Sequence, residues 1–116
     1  MEFKKFIVPD TYLIEDAIEM IEMNNSRCVI VVNSNNKVVG MLSEGDLLRS
    51  ILKGISIKSP VKNIMVTNFK YLVSKNDDAI IGLLKEGVTL IPILNPENRL
   101  SDIIIFTEYI KNKRLF

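Results

Sequence analysis

The fold is decided by two matching stretches. Residues 28–52 read CVIVVNSNNKVVGMLSEGDLLRSIL, and residues 90–114 read LIPILNPENRLSDIIIFTEYIKNKR. They are offset by 62 positions and align without a gap: an apolar run, a polar turn, a second apolar run and an amphipathic segment. Upstream, Asp-Ala-Ile occurs at residues 16–18 and again at residues 78–80. Because the apolar pattern stays in register throughout, the sequence predicts a tandem duplication of one small unit.

Each repeat is predicted to fold as β-α-β-β-α. The helical and alternating apolar patterns place the elements of the first repeat at residues 14–21 (helix), 28–32 and 37–42 (strands) and 45–52 (helix). Those of the second lie at residues 78–85 (helix), 90–94 and 99–105 (strands) and 107–111 (helix). A half of this size buries too little surface to be stable on its own. We therefore expect one compact α+β module, with residues 1–56 and 57–116 as repeats related by pseudo-twofold symmetry.

Composition argues against several functions. With 15 Lys+Arg against 14 Asp+Glu, the net charge of +1 gives no general reason to bind nucleic acid. The chain has no histidine, the usual general base of Ser and Cys hydrolases, and its one cysteine allows no internal disulfide. The N-terminus is unlike a signal peptide, and no apolar run approaches the roughly 20 residues of a membrane helix. We expect a cytoplasmic protein that is not an enzyme and needs no metal.

The sharpest local feature is the segment GMLSEGDL at residues 40–47, where a strand turns into a helix. The unpaired first amides of a helix and its dipole favour an anion such as phosphate. Ser43 adds a hydroxyl, and Asp46 adds a carboxylate that can accept two hydrogen bonds from a ribose diol. Ordinary helix capping by Ser43 and a nearby acidic residue is the alternative, and the segment alone leaves both open.

This segment, its place after a helix-strand-turn-strand unit and the duplication together resemble a pair of CBS domains, also called a Bateman module. The resemblance covers residues 6–110. It implies a regulatory module that binds an adenine nucleotide (AMP, ADP, ATP or S-adenosylmethionine) in clefts between the repeats. The stretches at residues 43–49, 52–54, 59–61, 64–65 and 99–103 are similar to CBS pairs fused N-terminal to sugar-phosphate nucleotidyltransferases. An attached or partner enzyme of that class is therefore expected.

The resemblance also implies which residues bind the ligand. In the family, this segment is a motif whose Ser or Thr binds phosphate and whose Asp binds ribose. The backbone before the first strand of the hairpin encloses the base, together with a segment of the other repeat. Carried over, the first site takes Ser43, Gly45, Asp46, Ser26, Arg27, Cys28, Val66 and Thr67. For Arg27 a surface salt bridge, and for Cys28 inert packing, are the alternatives.

The second site departs from the motif, since Ser43 becomes Ile105 and Asp46 becomes Glu108 at the shifted positions. Ile105 cannot donate to a phosphate, so we expect an empty or weak site in which Glu108 is the remaining contact. Its lining would be Thr89, Leu90, Val8 and Pro9.

The family resemblance further implies a homodimer. Leu48, Ile51 and Leu52 follow the motif and could supply the interface, unless they are core residues. A dimerisation or interaction module that has lost its ligand is the alternative function, which the degraded second motif supports.

Overall fold

The structure, a computed structural model, describes residues 3–113 and divides into two compact units, one up to Phe69 and one from Lys70. The first unit contains β1 (Ile7–Pro9), α1 (Ile14–Asn24), β2 (Cys28–Val32), β3 (Val38–Ser43) and α2 (Glu44–Leu52). The second contains α3 (Asp77–Lys85), β4 (Leu90–Leu94), β5 (Leu100–Ile105) and α4 (Phe106–Asn112). These bounds confirm the predicted mixed α+β architecture to within a few residues. None of these helices is long and apolar enough to cross a membrane.

The first unit is built around the strand β2, whose five residues are all buried. It lies in the middle of a three-stranded sheet of order β1-β2-β3, parallel to β1 and antiparallel to β3. Helix α1 packs its apolar face, including Ile14, Ala17 and Ile21, into the same core. Val8 and Pro9, predicted to line the second site, belong to β1, and the Val8 side chain is fully buried in this core.

The hairpin of the first unit recurs 62 residues later in the second. Asn36 and Asn98 both adopt left-handed backbone, with φ of 62° and 63°. The side-chain oxygens of Asn33 and Asn95 each accept hydrogen bonds from two backbone amides of their own turn. An irregularity also interrupts both strand ladders at the equivalent point. Asparagine tolerates left-handed backbone better than most residues, so the shared turn residues explain the shared geometry.

The repeats differ ahead of their first helices. In the second unit, the strand equivalent to β1 is reduced to one parallel bridge between Leu72 and Ile93, held by two backbone hydrogen bonds. In the first unit, Val8 pairs with Val31. Ile93 lies 62 positions after Val31, but Leu72 lies 64 positions after Val8. The 62-residue offset therefore does not extend to this stretch, where two additional residues separate the bridge from its counterpart.

The connection between the repeats packs on the first unit. Val61 is fully buried, and Ile64 and Met65 pack partly buried against the same core. The backbone of Ser59 accepts a hydrogen bond from the first amide of α1, that of Ile14, at 2.9 Å. The compact unit therefore extends to Phe69, beyond the repeat boundary placed after residue 56 from the duplication.

The second unit has its own small core, made by the β4–β5 hairpin and α3. Ile80 and Leu84 of α3 pack against Ile91, Ile93 and Ile104 of the strands. At the surface, the Tyr109 hydroxyl of α4 donates to the first residue of α3, Asp77, at 2.5 Å. This hydrogen bond raises the pKa of Tyr109 to about 12.

A glycine marks the contact between β3 and the connection. A Cβ at Gly40 would lie 2.7 Å from both Cγ and Sδ of Met65, closer than packed atoms tolerate. We expect Gly40→Ala to lower the free energy of unfolding by about 1–3 kcal/mol, the usual cost of overpacking. Urea denaturation followed by circular dichroism measures this change.

Gly82→Ala is the matched control for this substitution. A Cβ at Gly82 meets nothing within 4 Å, and Gly82 lies inside α3. There alanine should stabilise the helix by roughly 0.5–1 kcal/mol. Equal stability of Gly40→Ala and the wild type would contradict the close packing of Met65 on β3.

Candidate ligand site at the start of helix α2

Strand β3 passes directly into α2 at Ser43, which caps the helix. The Ser43 hydroxyl accepts a hydrogen bond from the Asp46 amide at 3.2 Å. In return, the Ser43 amide and hydroxyl donate to Oδ2 of Asp46 at 2.9 and 2.8 Å. This reciprocal arrangement is a capping box, which satisfies amides that the helix cannot bond internally. The capping alternative is thus realised, and it brings the two predicted ligand contacts into direct contact with each other.

The second carboxylate oxygen of Asp46 is also occupied. Nη2 of Arg49 donates to Oδ1 of Asp46 at 2.8 Å. Partial burial alone would raise the pKa of Asp46, but the hydrogen bonds from Ser43 and Arg49 outweigh it and hold that pKa below its ordinary value of 3.8. The site therefore presents a fully ionised carboxylate at neutral pH.

The three first amides of α2 are not equally available. The Glu44 amide donates to the Arg27 carbonyl at 2.9 Å, and the Asp46 amide is held by Ser43. Within residues 3–113, the amide of Gly45 between them has no hydrogen bond. The expectation of unpaired first amides is therefore correct for one of the three, and that amide is the one a bound anion could use.

The turn from α1 into β2 forms the other side of the site. Arg27 has left-handed backbone, with φ of 58°, and its side chain is exposed, whereas Ser26 and Cys28 are buried. Asn24 holds this turn: its amide group donates to the Cys28 carbonyl at 3.0 Å, and its oxygen accepts from the Ser26 amide at 2.8 Å. Asn24 was not among the residues predicted for the site. An asparagine directly before a left-handed turn was the available signal for its positioning role.

Cys28 lies opposite Ser43 in the β2–β3 ladder. Burial, and secondarily the Asp46 charge, raise the pKa of the Cys28 thiol to about 12. At neutral pH the thiol is therefore protonated and poorly nucleophilic, which agrees with the packing interpretation.

Val66 and Thr67 follow the edge of β3. Val66 exchanges two backbone hydrogen bonds with Met41, at 3.0 and 2.9 Å, and Thr67 beside it is exposed. These residues belong to the second repeat by sequence but to the first compact unit by packing. All residues predicted for the first site therefore lie within one unit.

The turn from β5 into α4 in the second unit has the same backbone hydrogen bonding but different side chains. Leu90 pairs with Ile105, and the Phe106 amide donates to the Thr89 carbonyl at 2.9 Å, as the Glu44 amide does 62 residues earlier. However, Ile105, which directly precedes α4, provides no side-chain cap, and Glu108 is exposed. The strand-to-helix turn of the second unit thus lacks the linked hydroxyl and carboxylate that Ser43 and Asp46 provide in the first.

Comparison with known proteins shows which proteins this chain resembles. Residues 4–53 match the sequence model of the CBS domain family. This stretch of the chain is therefore similar to CBS domains. An uncharacterized protein of Helicobacter pylori strain J99 is 40% identical over 75 residues, which are 65% of this chain and 22% of that protein. The chain thus spans about a fifth of the length of this relative.

Solved CBS structures share the fold over most of the chain. CBS domain protein PAE2072 from Pyrobaculum aerophilum, complexed with AMP, has a TM-score of 0.72 at 15% identity, covering 88% of this chain and 80% of that one. The CBS domain pair of protein MJ0100, in complex with 5′-methylthioadenosine and S-adenosyl-L-methionine, has a TM-score of 0.75 at 16% identity, covering 94% and 87%. These likenesses confirm the predicted α+β fold of a CBS-domain pair.

The lowered pKa of Asp46 predicts a pH-dependent contribution to stability. Its charged form is favoured by folding, so that contribution is complete above the unfolded value near 3.8 and is lost as the pH falls toward the lower folded pKa. At pH 7 we expect Asp46→Asn to reduce the free energy of unfolding by about 1 kcal/mol, as for a lost cap. The difference in free energy of unfolding between the wild type and Asp46→Asn should become smaller at acidic pH.

Urea titrations between pH 7 and pH 3 test this expectation. Glu97→Gln, in the exposed turn between β4 and β5, is the control for charge removal elsewhere. A gap between Asp46→Asn and the wild type that stays constant down to pH 3 would show that the carboxylate charge does not stabilise the turn.

Proposed function

We propose that the first compact unit binds an adenine nucleotide at the start of α2 and that the protein is regulatory rather than catalytic. One observation carries this proposal: inside the stretch that matches the CBS domain model, the Ser43 hydroxyl, the Gly45 amide and the ionised Asp46 carboxylate occupy a single turn. The nucleotide class is supported by related structures, one complexed with AMP and one with S-adenosyl-L-methionine.

Each group of the turn has a distinct task in this proposal. The Gly45 amide donates to phosphate, and the helix dipole adds to the attraction. Ser43, whose hydroxyl hydrogen is held by Oδ2 of Asp46, keeps the carboxylate in place beside it. Asp46 accepts hydrogen bonds from the ribose diol, and the exposed Arg27 adds positive charge beside the phosphate. The backbone around Ser26 and the segment at Val66 enclose the base.

Regulation requires that the nucleotide bind one state of a partner better than another. We propose a cytoplasmic protein whose partner, attached or separate, is an enzyme such as a sugar-phosphate nucleotidyltransferase. This part of the proposal rests on the resemblance of residues 43–49 to CBS modules fused to such enzymes.

Calorimetric titration with AMP, ADP, ATP and S-adenosylmethionine tests ligand binding. Asp46→Ala removes a charge-assisted contact, a loss of about 1.5–3 kcal/mol that weakens affinity on the order of tenfold or more. Glu108→Ala, at the equivalent position of the second repeat, is the matched control and should leave the affinity of the first site unchanged.

Two results would contradict the proposed site or function. Unchanged affinity in Asp46→Ala, with folding verified by circular dichroism, would show that the site lies elsewhere. No heat with any of the four ligands would favour the alternative, an interaction module that has lost its ligand.

We further propose that the module is a homodimer joined through α2. Leu48, Ile51 and Leu52 share one side of this helix and are 58%, 43% and 77% exposed, so the core alternative for them is wrong. The position equivalent to Leu48 in α4 is Ile110, which is buried. Three neighbouring exposed apolar side chains are typical of a contact surface rather than of scattered surface residues.

Replacing Leu48 and Leu52 together by glutamate should convert a dimer into a monomer, because a charge at the centre of an apolar contact must be desolvated. Sedimentation equilibrium measures the change. Val73→Glu, at a 75% exposed apolar residue of the second unit, is the control and should leave the mass unchanged. A monomeric wild type would refute this interface.

A further inference from the structure

We propose that Arg49 makes the site selective for adenine ligands that carry phosphate, an inference that rests on the proposed function. Three of about four acceptor positions of the Asp46 carboxylate are occupied: two on Oδ2 by Ser43 and one on Oδ1 by Nη2 of Arg49, at 2.8 Å. A ribose diol donates two hydrogen bonds, so it can bind this carboxylate through both hydroxyls only by displacing one of these donors. Arg49 is the one that can leave without dismantling the helix cap.

Gly45 allows Arg49 to take this position. A Cβ at residue 45 would lie 3.3 Å from Nη1 and 3.5 Å from Nη2 of Arg49, which is tight contact. The guanidinium therefore lies across the first turn of α2, beside the Gly45 amide proposed to bind phosphate. A cation at the positive end of a helix is unfavourable by itself, and the pairing with Asp46 offsets that cost.

The Arg49 side chain is free to change partners. It is 65% exposed, so its release loses little packing, and the exposed ion pair with Asp46 contributes only about 0–1 kcal/mol. Once ribose has taken Oδ1, the guanidinium remains next to the ligand. A phosphate then offers it a bidentate, charge-assisted replacement for the lost carboxylate.

Ligands without phosphate cannot complete this exchange. Adenosine and 5′-methylthioadenosine displace Arg49 and offer it no anion, and S-adenosylmethionine places a sulfonium cation near it. Arg49 thus opposes these ligands and favours AMP, ADP and ATP. The second repeat has Glu108 and Lys111 at the corresponding positions, and no ion pair joins them within residues 3–113.

The test compares AMP with 5′-methylthioadenosine, which differ at the 5′ position alone. Isothermal calorimetry gives both dissociation constants for the wild type, Arg49→Gln, Arg49→Lys and the control Lys53→Gln, which removes an exposed charge from the end of the same helix. We expect Arg49→Gln to weaken AMP binding on the order of tenfold and to strengthen 5′-methylthioadenosine binding. Arg49→Lys should retain part of the preference for AMP over 5′-methylthioadenosine, and Lys53→Gln should retain all of it.

Opposite shifts for the two ligands are a result that a merely structural role of Arg49 would not produce. If Arg49→Gln weakens both ligands equally, or changes neither, the inference is overturned while the nucleotide site stands. If neither ligand binds any of the proteins, the proposed function itself fails.

Discussion

The turn between β3 and α2 depends on the carboxylate of Asp46. A strand that passes directly into a helix leaves the first helical amides without partners, and a buried or half-buried turn must satisfy them. Here the Ser43 hydroxyl and the Asp46 carboxylate do so reciprocally, and Arg49 neutralises the remaining oxygen. The proposed nucleotide contacts are thus the groups that start the helix, so binding would exchange one set of hydrogen bonds for another.

The two repeats differ in the residues that both cap the helix and form the proposed nucleotide contacts. The second unit keeps the backbone geometry, since the Phe106 amide still donates to the Thr89 carbonyl. Ile105 nevertheless provides no cap, and Glu108 is exposed in solvent. The strand-to-helix turn can therefore form without the polar pair, which indicates that the backbone hydrogen bond carries the geometry and the side chains add stability and chemistry.

Packing of the connection on β3 determines the composition of the first site. Val66 is held by backbone hydrogen bonds to Met41, and Met65 fills the space left by Gly40. A residue with a Cβ at position 40 would push this segment away from the strand that leads to Ser43. The glycine that opens the motif thus serves the contact with the neighbouring segment.

The repeat, the strands and the left-handed asparagine turns could be predicted from the sequence, because apolar periodicity and turn chemistry are local properties. Ser43 and Asp46 could likewise be placed at a helix start. The reduced first strand at Leu72 and the burial of Val61 in the first unit could not, since both depend on contacts between segments distant in sequence. The ion pair between Arg49 and Asp46 depends on the directions of both side chains, which only the tertiary structure shows.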